Sequence, residues 1–143
     1  RFFEGMEPRH IEILVTCAHY AHFAANEYLF HFDGPAETFF FIGPGRVAIE
    51  LPVPARRTLP IQTLTEGDIL GWSWLYPPYQ WQFSARALEQ TKAIVFDAAR
   101  LRGRCEADHE LGYQLMKRFA YVMTQRLQAT RLQLLDVYAI GAV

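Results

Sequence analysis

The side chains best suited to hold a metal or do chemistry are five histidines and two cysteines, in a chain of 143 residues. His19 and His22 are three residues apart, which places them on opposite faces if the segment is a strand. His31 and Asp33 share a face, yet no third ligand follows them at a useful spacing. The sequence therefore predicts no metal site.

Covalent and redox chemistry has no support in the remaining pattern. Nucleophilic catalysis needs an activated side chain beside a base, and neither a Gly-x-Ser-x-Gly run nor a Cys/His arrangement occurs. Cys17 and Cys105 are too few for a disulfide framework or a four-thiolate cluster. Haem would need an axial ligand in an apolar pocket, and the most aromatic segment of the chain contains no histidine or cysteine. We expect a protein that is not an enzyme and carries no cofactor.

That aromatic segment concentrates the unusual residues of the chain. Six rings lie within twelve residues and include all three tryptophans: Trp72, Trp74, Tyr76, Tyr79, Trp81 and Phe83. Such a segment predicts a pocket for a flat or apolar ligand, with Ser73, Gln82 and Ser84 as its few polar contacts. The alternative is that the rings fill the volume themselves and only complete the core.

Composition limits the class of protein that carries this segment. The chain is 51% hydrophobic and 15% aromatic, which excludes intrinsic disorder. No apolar run approaches the roughly 20 residues of a membrane helix. A net charge of −1 excludes a strongly basic domain that coats nucleic acid. The chain opens at Arg1 rather than methionine, so we expect some of its natural N-terminal residues to be missing. The residues present show no signal-peptide pattern, so we expect a cytoplasmic protein.

Turn signals and apolar spacing divide the chain into three zones of one domain, 1–143. Pro8 opens a helix predicted over 8–18. Residues 19–97 contain proline, glycine and aspartate turns about every eight to twelve residues, which is typical of an all-β sandwich or barrel. The strands predicted between these turns cover 27–32, 38–42, 46–51, 59–64, 83–88 and 92–96. The rest of the chain lacks proline and predicts one long helix over 106–138.

The long helix has two apolar faces. Seven residues recur at alternating spacings of four and three, the heptad pattern of paired helices, and we call them the seam: Met116, Ala120, Met123, Leu127, Thr130, Leu134 and Val137. A second face, the stripe, ends earlier and consists of Leu111, Leu115, Phe119 and Val122. We expect the stripe to pack on the β zone and the seam to pack on the same helix of a second subunit. The main dimer contacts would be Met116, Met123, Leu127 and Leu134. In the alternative, one chain covers both faces.

Taken in order, several segments resemble the cyclic nucleotide-binding domain of Crp/Fnr-type sensors. Residues 26–49 resemble its first strands and 66–71, Glu-Gly-Asp-Ile-Leu-Gly, its second hairpin. Residues 86–97 resemble its last strand pair, and 126–130, Arg-Leu-Gln-Ala-Thr, its dimer helix. The resemblance implies a mainly β fold: an antiparallel β-roll (a double-stranded β-helix) with a short N-terminal helix and a long C-terminal dimerisation helix.

The resemblance also implies a ligand site, and there the sequence departs from the family. Family members hold the cyclic phosphate with backbone N–H groups and an arginine, and the ribose with a glutamate. In the matching segment, Trp72 replaces the glutamate and Trp81 replaces the arginine. Losing one charge-assisted contact removes about 1.5–3 kcal/mol of binding, so we expect no tight binding of cyclic AMP or cyclic GMP.

The candidate ligand contacts are Gly71, Trp72, Ser73, Trp74, Trp81, Gln82, Ser84 and Thr130. Thr130 is included because it matches the family position that reaches the bound base across the dimer. The sequence thus predicts a dimeric regulatory domain that senses a small molecule, apolar or aromatic. Two alternatives remain: a ligand-free dimerisation or protein-interaction module, and the sensor half of a transcription regulator without its helix-turn-helix. We expect this chain to bind neither nucleic acid nor a membrane.

Overall fold

Two four-stranded antiparallel sheets form the body of the protein in the computed structural model, which describes residues 1–53 and 58–141. The first sheet has the order β1-β8-β3-β6 and consists of β1 (Ala18–Phe23), β8 (Thr91–Asp97), β3 (Thr38–Ile42) and β6 (Ile69–Leu70). The second has the order β2-β7-β4-β5 and consists of β2 (Tyr28–Phe30), β7 (Ser84–Ala87), β4 (Arg46–Pro52) and β5 (Thr58–Thr65). The α-helices are α1 (Pro8–Thr16), α2 (Ala98–Ala107) and α3 (His109–Gly141), and a 3₁₀ turn spans Ser73–Leu75.

This architecture is the β-roll with flanking helices that the resemblance implied, so the predicted fold class is confirmed. Each of the six predicted strands is present, with ends within two residues of the predicted ones. The residue pattern does not predict β1 or β6. β1 mixes histidine and alanine with single aromatic residues, and β6 is only two residues long, too short to show alternation.

The prediction of one long helix beginning near residue 106 is wrong at its start, because two helices occupy this region. α2 begins after Asp97, whose carboxylate accepts a backbone N–H three residues on at 3.0 Å. α3 begins after Asp108, which accepts in the same way at 3.2 Å. Such N-caps satisfy donors that a helix leaves free at its start. α2 buries only Ala98 and Leu101, so its sequence offers no apolar stripe to predict it from.

Phe39 on β3 is the centre of the aromatic core and is completely buried. Its ring stacks on Phe96 of β8 at 4.4 Å between centroids and on Trp74 of the 3₁₀ turn at 5.5 Å. It also meets Phe119 of α3 edge-on at 5.2 Å. Offset and edge-on pairs at these distances are favourable beyond the area they bury. One ring therefore joins the first sheet, the 3₁₀ turn and the long helix.

The two faces of α3 have different environments. The first three members of the stripe, Leu111, Leu115 and Phe119, are fully buried against the body, as predicted. Most of the large residues of the seam remain exposed, with Met116 and Leu127 both at 51% and Leu134 at 54%. Residues 1–53 and 58–141 therefore cover the stripe but leave most of the seam uncovered, which does not support the alternative in which one chain covers both faces. No helix in residues 1–53 and 58–141 is long and apolar enough to cross a membrane.

An ion pair with a buried carboxylate lies on the second sheet. The carboxylate of Glu50 on β4 is 1% exposed and accepts from Arg86 Nε on β7 at 2.8 Å and from the Tyr28 hydroxyl on β2 at 3.0 Å. Arg86 donates further to the Asn26 side chain at 2.8 Å. The hydrogen bond to Glu50 raises the pKa of Arg86 above its usual value. Strand alternation places this pair on the face opposite Ala85, which is buried in the core.

Replacing Arg86 should destabilise the fold strongly. Arg86→Met leaves the Glu50 carboxylate buried without its cation, so we expect the free energy of unfolding at pH 7 to fall by about 3 kcal/mol. Urea titration followed by circular dichroism measures this change. The matched control is Arg46→Met, because Arg46 pairs with Glu89 at 2.8 Å while both side chains are about half exposed. The control should lose less than about 1 kcal/mol, and equal losses would contradict the importance assigned to burial.

Candidate functional site

The candidate site is the segment of residues 71–84, which we call the cassette, between β6 and β7. It begins at Gly71, whose φ of +100° lies in the left-handed region that favours glycine. The 3₁₀ turn follows, and the chain then returns to the second sheet. Two backbone hydrogen bonds, Trp81 N–H to Gly34 O at 2.9 Å and Asp33 N–H to Trp81 O at 2.9 Å, fix the end of the cassette against the loop before β3.

Trp81 is inside the β-roll. Its side chain is 2% exposed, and its ring stacks on Phe30 of β2 at 3.7 Å between centroids and an interplanar angle of 12°. A Cβ added to Gly71 would lie 2.8 Å from Cη2 of the indole, so the ring fills the space beside the glycine. Both the backbone angle and this contact therefore require glycine at position 71.

Trp72 is only partly buried, and it lies between the cassette and α3. Its ring meets Phe83 edge-on at 6.3 Å, and the guanidinium of Arg126 from α3 lies 5.2 Å from the ring centroid. This is the distance of a cation–π contact. The residue that replaces the family's glutamate thus contacts a cation of the long helix.

Ser73 and Trp74 contribute to the core rather than to the surface of the cassette. Trp74 is 1% exposed and packs between Phe39 and Phe119. Ser73 is 3% exposed. Within the described part of the chain, neither the Ser73 hydroxyl nor the indole N–H of Trp74 has a hydrogen-bond partner.

The remaining predicted contacts are dispersed. The Ser84 hydroxyl is buried and accepts from the Phe32 N–H at 2.8 Å, so it ties β7 to the chain after β2. Gln82 is exposed and donates to the Gln80 carbonyl at 3.0 Å. Thr130 is exposed and donates to the Arg126 carbonyl of its own helix at 3.0 Å. The structure brings Gly71 and Trp81 into contact with each other, whereas Gln82 and Thr130 are not among the side chains around them.

Arg102 of α2 is a residue of the site that sequence reasoning missed. Its Nη1 donates to the Trp74 carbonyl at 2.7 Å, and its guanidinium lies 3.9 Å from the centroid of the Tyr79 ring. Arg102 therefore holds both halves of the cassette on α2. No local signal could have found it, because one arginine in a polar helix is usually solvated.

Arg126 of α3 is the second missed residue. It donates through Nη2 to the Ile69 carbonyl of β6, while its Nη1 is buried and has no partner among the described residues. Burial lowers the pKa of Arg126 to about 10, opposed by the charge of Asp68. The side chain is still protonated at neutral pH. Arg126 belongs to the segment 126–130 that resembles the family's dimer helix, but its spacing along the helix does not indicate a contact with Trp72 or with β6.

The site offers aromatic surface and little that could hold an ion. Among residues 1–53 and 58–141, no three histidine, cysteine, aspartate or glutamate side chains lie close enough together to hold a metal. Of the cations near the cassette, Arg86 is paired with Glu50 and Arg102 with the Trp74 carbonyl. Arg126 contacts the Trp72 ring and the Ile69 carbonyl. What the cassette presents is a set of packed rings around Gly71.

The sequence model of the cyclic nucleotide-binding domain family matches residues 20–108, more than half of the chain. The β-roll, the glycine at the start of the cassette and the helix that follows the last strand agree with that match. The chain therefore belongs to the cyclic nucleotide-binding domain family, as the resemblance implied.

Solved structures show the same fold. A protein of Geobacter metallireducens GS-15, named for cyclic nucleotide binding, is 24% identical over 89% of this chain and 92% of its own, with a TM-score of 0.81. The sensor domain of the transcriptional regulator DNR from Pseudomonas aeruginosa is 16% identical over 89% and 85%, with a TM-score of 0.70. The catabolite activator protein of Thermus thermophilus is 17% identical over 96% of this chain and 62% of its own, with a TM-score of 0.72. No functionally curated protein matches the chain.

Removing the indole of Trp81 should create a cavity in the β-roll. We expect Trp81→Ala to lower the free energy of unfolding by about 3–5 kcal/mol, because a fully buried ring is lost and the backbone around Gly71 is held in place. Free indole should recover part of the lost melting temperature by filling the apolar cavity. Differential scanning fluorimetry with and without indole measures both effects.

Trp72→Ala is the control for this cavity, since Trp72 is partly exposed and its loss opens the cassette to solvent. It should be less destabilising than Trp81→Ala and should recover less of its melting temperature with indole. A loss below about 1 kcal/mol in Trp81→Ala would contradict the placement of this ring in the core.

Proposed function

We propose that this chain is a regulatory ligand-sensing domain in which the cassette does not bind cyclic AMP or cyclic GMP tightly. The observation that carries the proposal is the position of Trp81. Its indole stacks on Phe30 and touches Gly71 in the position that matches the phosphate-binding arginine of the family. A sugar phosphate would have to displace a buried ring and would find no guanidinium there.

Electrostatics supports the same conclusion. Arg86, one residue before the end of β7, is paired with the buried Glu50 on the opposite face. Arg102 donates its Nη1 hydrogen bond to the Trp74 carbonyl. Bringing a phosphate out of water without a cation costs several kcal/mol, and a 3₁₀ turn of three residues supplies few free N–H groups to offset it.

A sensing mechanism follows from the core contacts. Trp74 in the cassette packs on Phe119 of α3, and Trp72 contacts Arg126 of the same helix. An apolar or aromatic ligand that moves these rings would shift the position of α3. If α3 pairs with its copy through the seam, the ligand would change the geometry of the pair by stabilising one arrangement over another. The partners in this proposal are a second copy of the chain and a small-molecule effector, in the cytoplasm.

A second candidate function is a ligand-free dimerisation or protein-interaction module. It is favoured by the burial of Trp74 and Trp81, at 1% and 2% exposed, because these rings complete the core without a ligand. The other alternative is the sensor half of a transcription regulator without its helix-turn-helix. It is in keeping with the coverage of the Thermus catabolite activator protein, of which the chain spans 62% of the length.

Cyclic nucleotides should leave the protein unchanged. We expect isothermal titration calorimetry to give no saturable heat with cyclic AMP or cyclic GMP, which places the dissociation constants above ~1 mM. For comparison, a ligand present at 100 times its dissociation constant stabilises the fold by about 2.7 kcal/mol. Micromolar binding of either nucleotide would contradict the proposed function.

A thermal-shift screen separates the two candidates. Stabilisation by an apolar or aromatic compound such as indole supports a sensor, since filling or remodelling the cassette would then be possible in the unmodified protein. No stabilisation by any nucleotide or aromatic compound supports the ligand-free module.

The seam should mediate dimerisation. We expect Leu127→Glu to give a monomer, because it would bury a charge against the partner helix without compensation, and light scattering after gel filtration measures the mass. The control is Leu132→Glu. Leu132 is also exposed, at 64%, but it lies about 140° round the helix from Leu127, so this variant should remain a dimer. A monomeric unmodified protein would contradict the proposal.

A further inference from the structure

A second concave region lies outside the cassette, between α3, the N-terminal segment and the hairpin of β5 and β6. We call it the cleft; its volume is about 880 Å³. Residues 1, 2, 4 and 5, residues 62–64 and residues 67–69 form three of its walls. The fourth wall is a face of α3 that includes Gln114, Arg118, Tyr121 and Gln125, whose spacings of four, three and four residues place them in one row. Ligand sites in proteins commonly have volumes of about 300–1,000 Å³.

The cleft is basic. Its lining contains four cationic side chains and two carboxylates. The cations are Arg1, Lys117, Arg118 and Arg126, and the carboxylates are Glu4 and Asp68. One oxygen of Asp68 already accepts the Thr65 N–H at 2.8 Å. This excess of positive charge favours an anion over a cation as the occupant.

Arg118 is not available to such an occupant. Its Nε donates to the Phe2 carbonyl at 2.9 Å, its Nη2 to the Glu4 carbonyl at 2.7 Å, and its Nη1 to the Gln114 side chain at 2.7 Å. These bonds hold the N-terminal segment on α3. Arg118 therefore builds a wall of the cleft.

Arg126 differs, because part of its guanidinium has nothing to bind. Its Nη2 is used by the Ile69 carbonyl, but Nη1 is buried and has no partner in the part of the chain that the structure describes. Among residues 1–53 and 58–141, no carboxylate lies within ion-pair distance of Arg126, and Asp68 acts on it only through its charge. A desolvated cation with an unused donor is unfavourable unless an acceptor completes it.

The walls also provide apolar surface beside this donor. Leu64 on β5, Ile69 on β6 and Val122 on α3 line the cleft, together with the ring of Tyr121. The row of Gln114, Arg118, Tyr121 and Gln125 lies on a different side of the helix from the seam, since Gln125 and Leu127 are about 160° apart. Pairing through the seam would leave this row uncovered.

We propose that the cleft binds a small organic anion, a phosphate or carboxylate group on an apolar or aromatic body, with Arg126 as the residue that binds the anionic group. The apolar walls hold the body of the ligand, and Lys117 adds long-range attraction from the rim. Since Arg126 also contacts Trp72 and the carbonyl of Ile69, an anion bound to Arg126 changes the surroundings of Trp72 at the start of the cassette. The cleft shares Arg126 with the surroundings of the cassette, but its other walls lie outside residues 71–84, so binding here does not depend on whether the cassette takes a ligand.

The test uses phenyl phosphate and benzoate as probes and phenol as the neutral analogue. Nuclear magnetic resonance of the ¹⁵N-labelled protein follows the three indole N–H signals and the Arg126 side-chain signal. We expect both anions to shift the Arg126 and Trp72 signals in a saturable way and to leave the Trp74 and Trp81 signals in place. Phenol should cause no saturable shift. A ligand in the cassette would instead shift the signal of Trp81, so failure here is distinguishable from failure of the proposed function.

Variants identify the anchoring residue. Arg126→Gln should weaken phenyl phosphate binding by about 10- to 100-fold, the loss expected for one charge-assisted contact. Arg126→Lys should recover part of the affinity. The matched control Arg131→Gln removes an exposed cation of α3 that does not line the cleft, and it should change the affinity by less than about twofold.

Melting temperature separates a binding role from a structural one. Arg126→Met removes a buried cation that lacks a full set of partners, so the ligand-free variant should melt at or above the temperature of the unmodified protein. Lys117→Gln on the rim, which cannot disturb the core, should weaken binding more at low salt than at high salt. The proposal is overturned if neither anion causes saturable shifts up to about 10 mM, if phenol binds equally, or if Arg126→Gln binds as tightly as the control.

Discussion

The fit of the Trp81 indole between Phe30 and Gly71 is the contact on which the arrangement of the cassette depends. The ring lies 3.7 Å from that of Phe30, and no side chain larger than a hydrogen fits at residue 71 beside it. Family members place an arginine at the matching position. Here an apolar ring replaces that charge, and the ring is stabilised by packing against its neighbours rather than by an anionic ligand. The Trp81 ring therefore has its packing contacts in the absence of any anion.

The arginines of the protein show how the fold treats buried charge. Arg86 meets the carboxylate of Glu50, while Arg102 and Arg118 donate to backbone carbonyls. These contacts compensate desolvation and at the same time connect segments that are distant in sequence, such as α2 with the cassette. Arg126 is less completely compensated, because its Nη1 is buried without an acceptor in the described residues. This difference between Arg126, which has an unused donor, and the other three arginines says more about where an anion could bind than the number of cations does.

α3 connects the core, the cassette and the cleft. Its stripe buries Leu111, Leu115 and Phe119 in the core, and Phe119 touches both Phe39 and Trp74. A neighbouring face carries Arg126 to Trp72 and the cleft, while the exposed residues of the seam lie on another side. Because a packed helix moves as a unit, a change at the cassette or at the cleft reaches the seam without any loop between them.

The sequence by itself determined the elements whose signals are local. Turn residues at regular spacing predicted the strands of the β-roll, such as Thr38–Ile42, and the spacing of leucines, methionines and aromatics predicted both faces of the long helix. The family's motifs identified the cassette and its two tryptophan replacements. Tertiary structure decided the rest. Asp108 divides the predicted helix because its carboxylate caps α3, and Arg102 and Arg126 belong to the site because folding brings α2 and α3 beside it. Tertiary packing likewise left Thr130 exposed, with its hydroxyl bonded to its own helix, and buried the Trp81 ring. A residue's partners across the fold depend on distances that no spacing along the chain records.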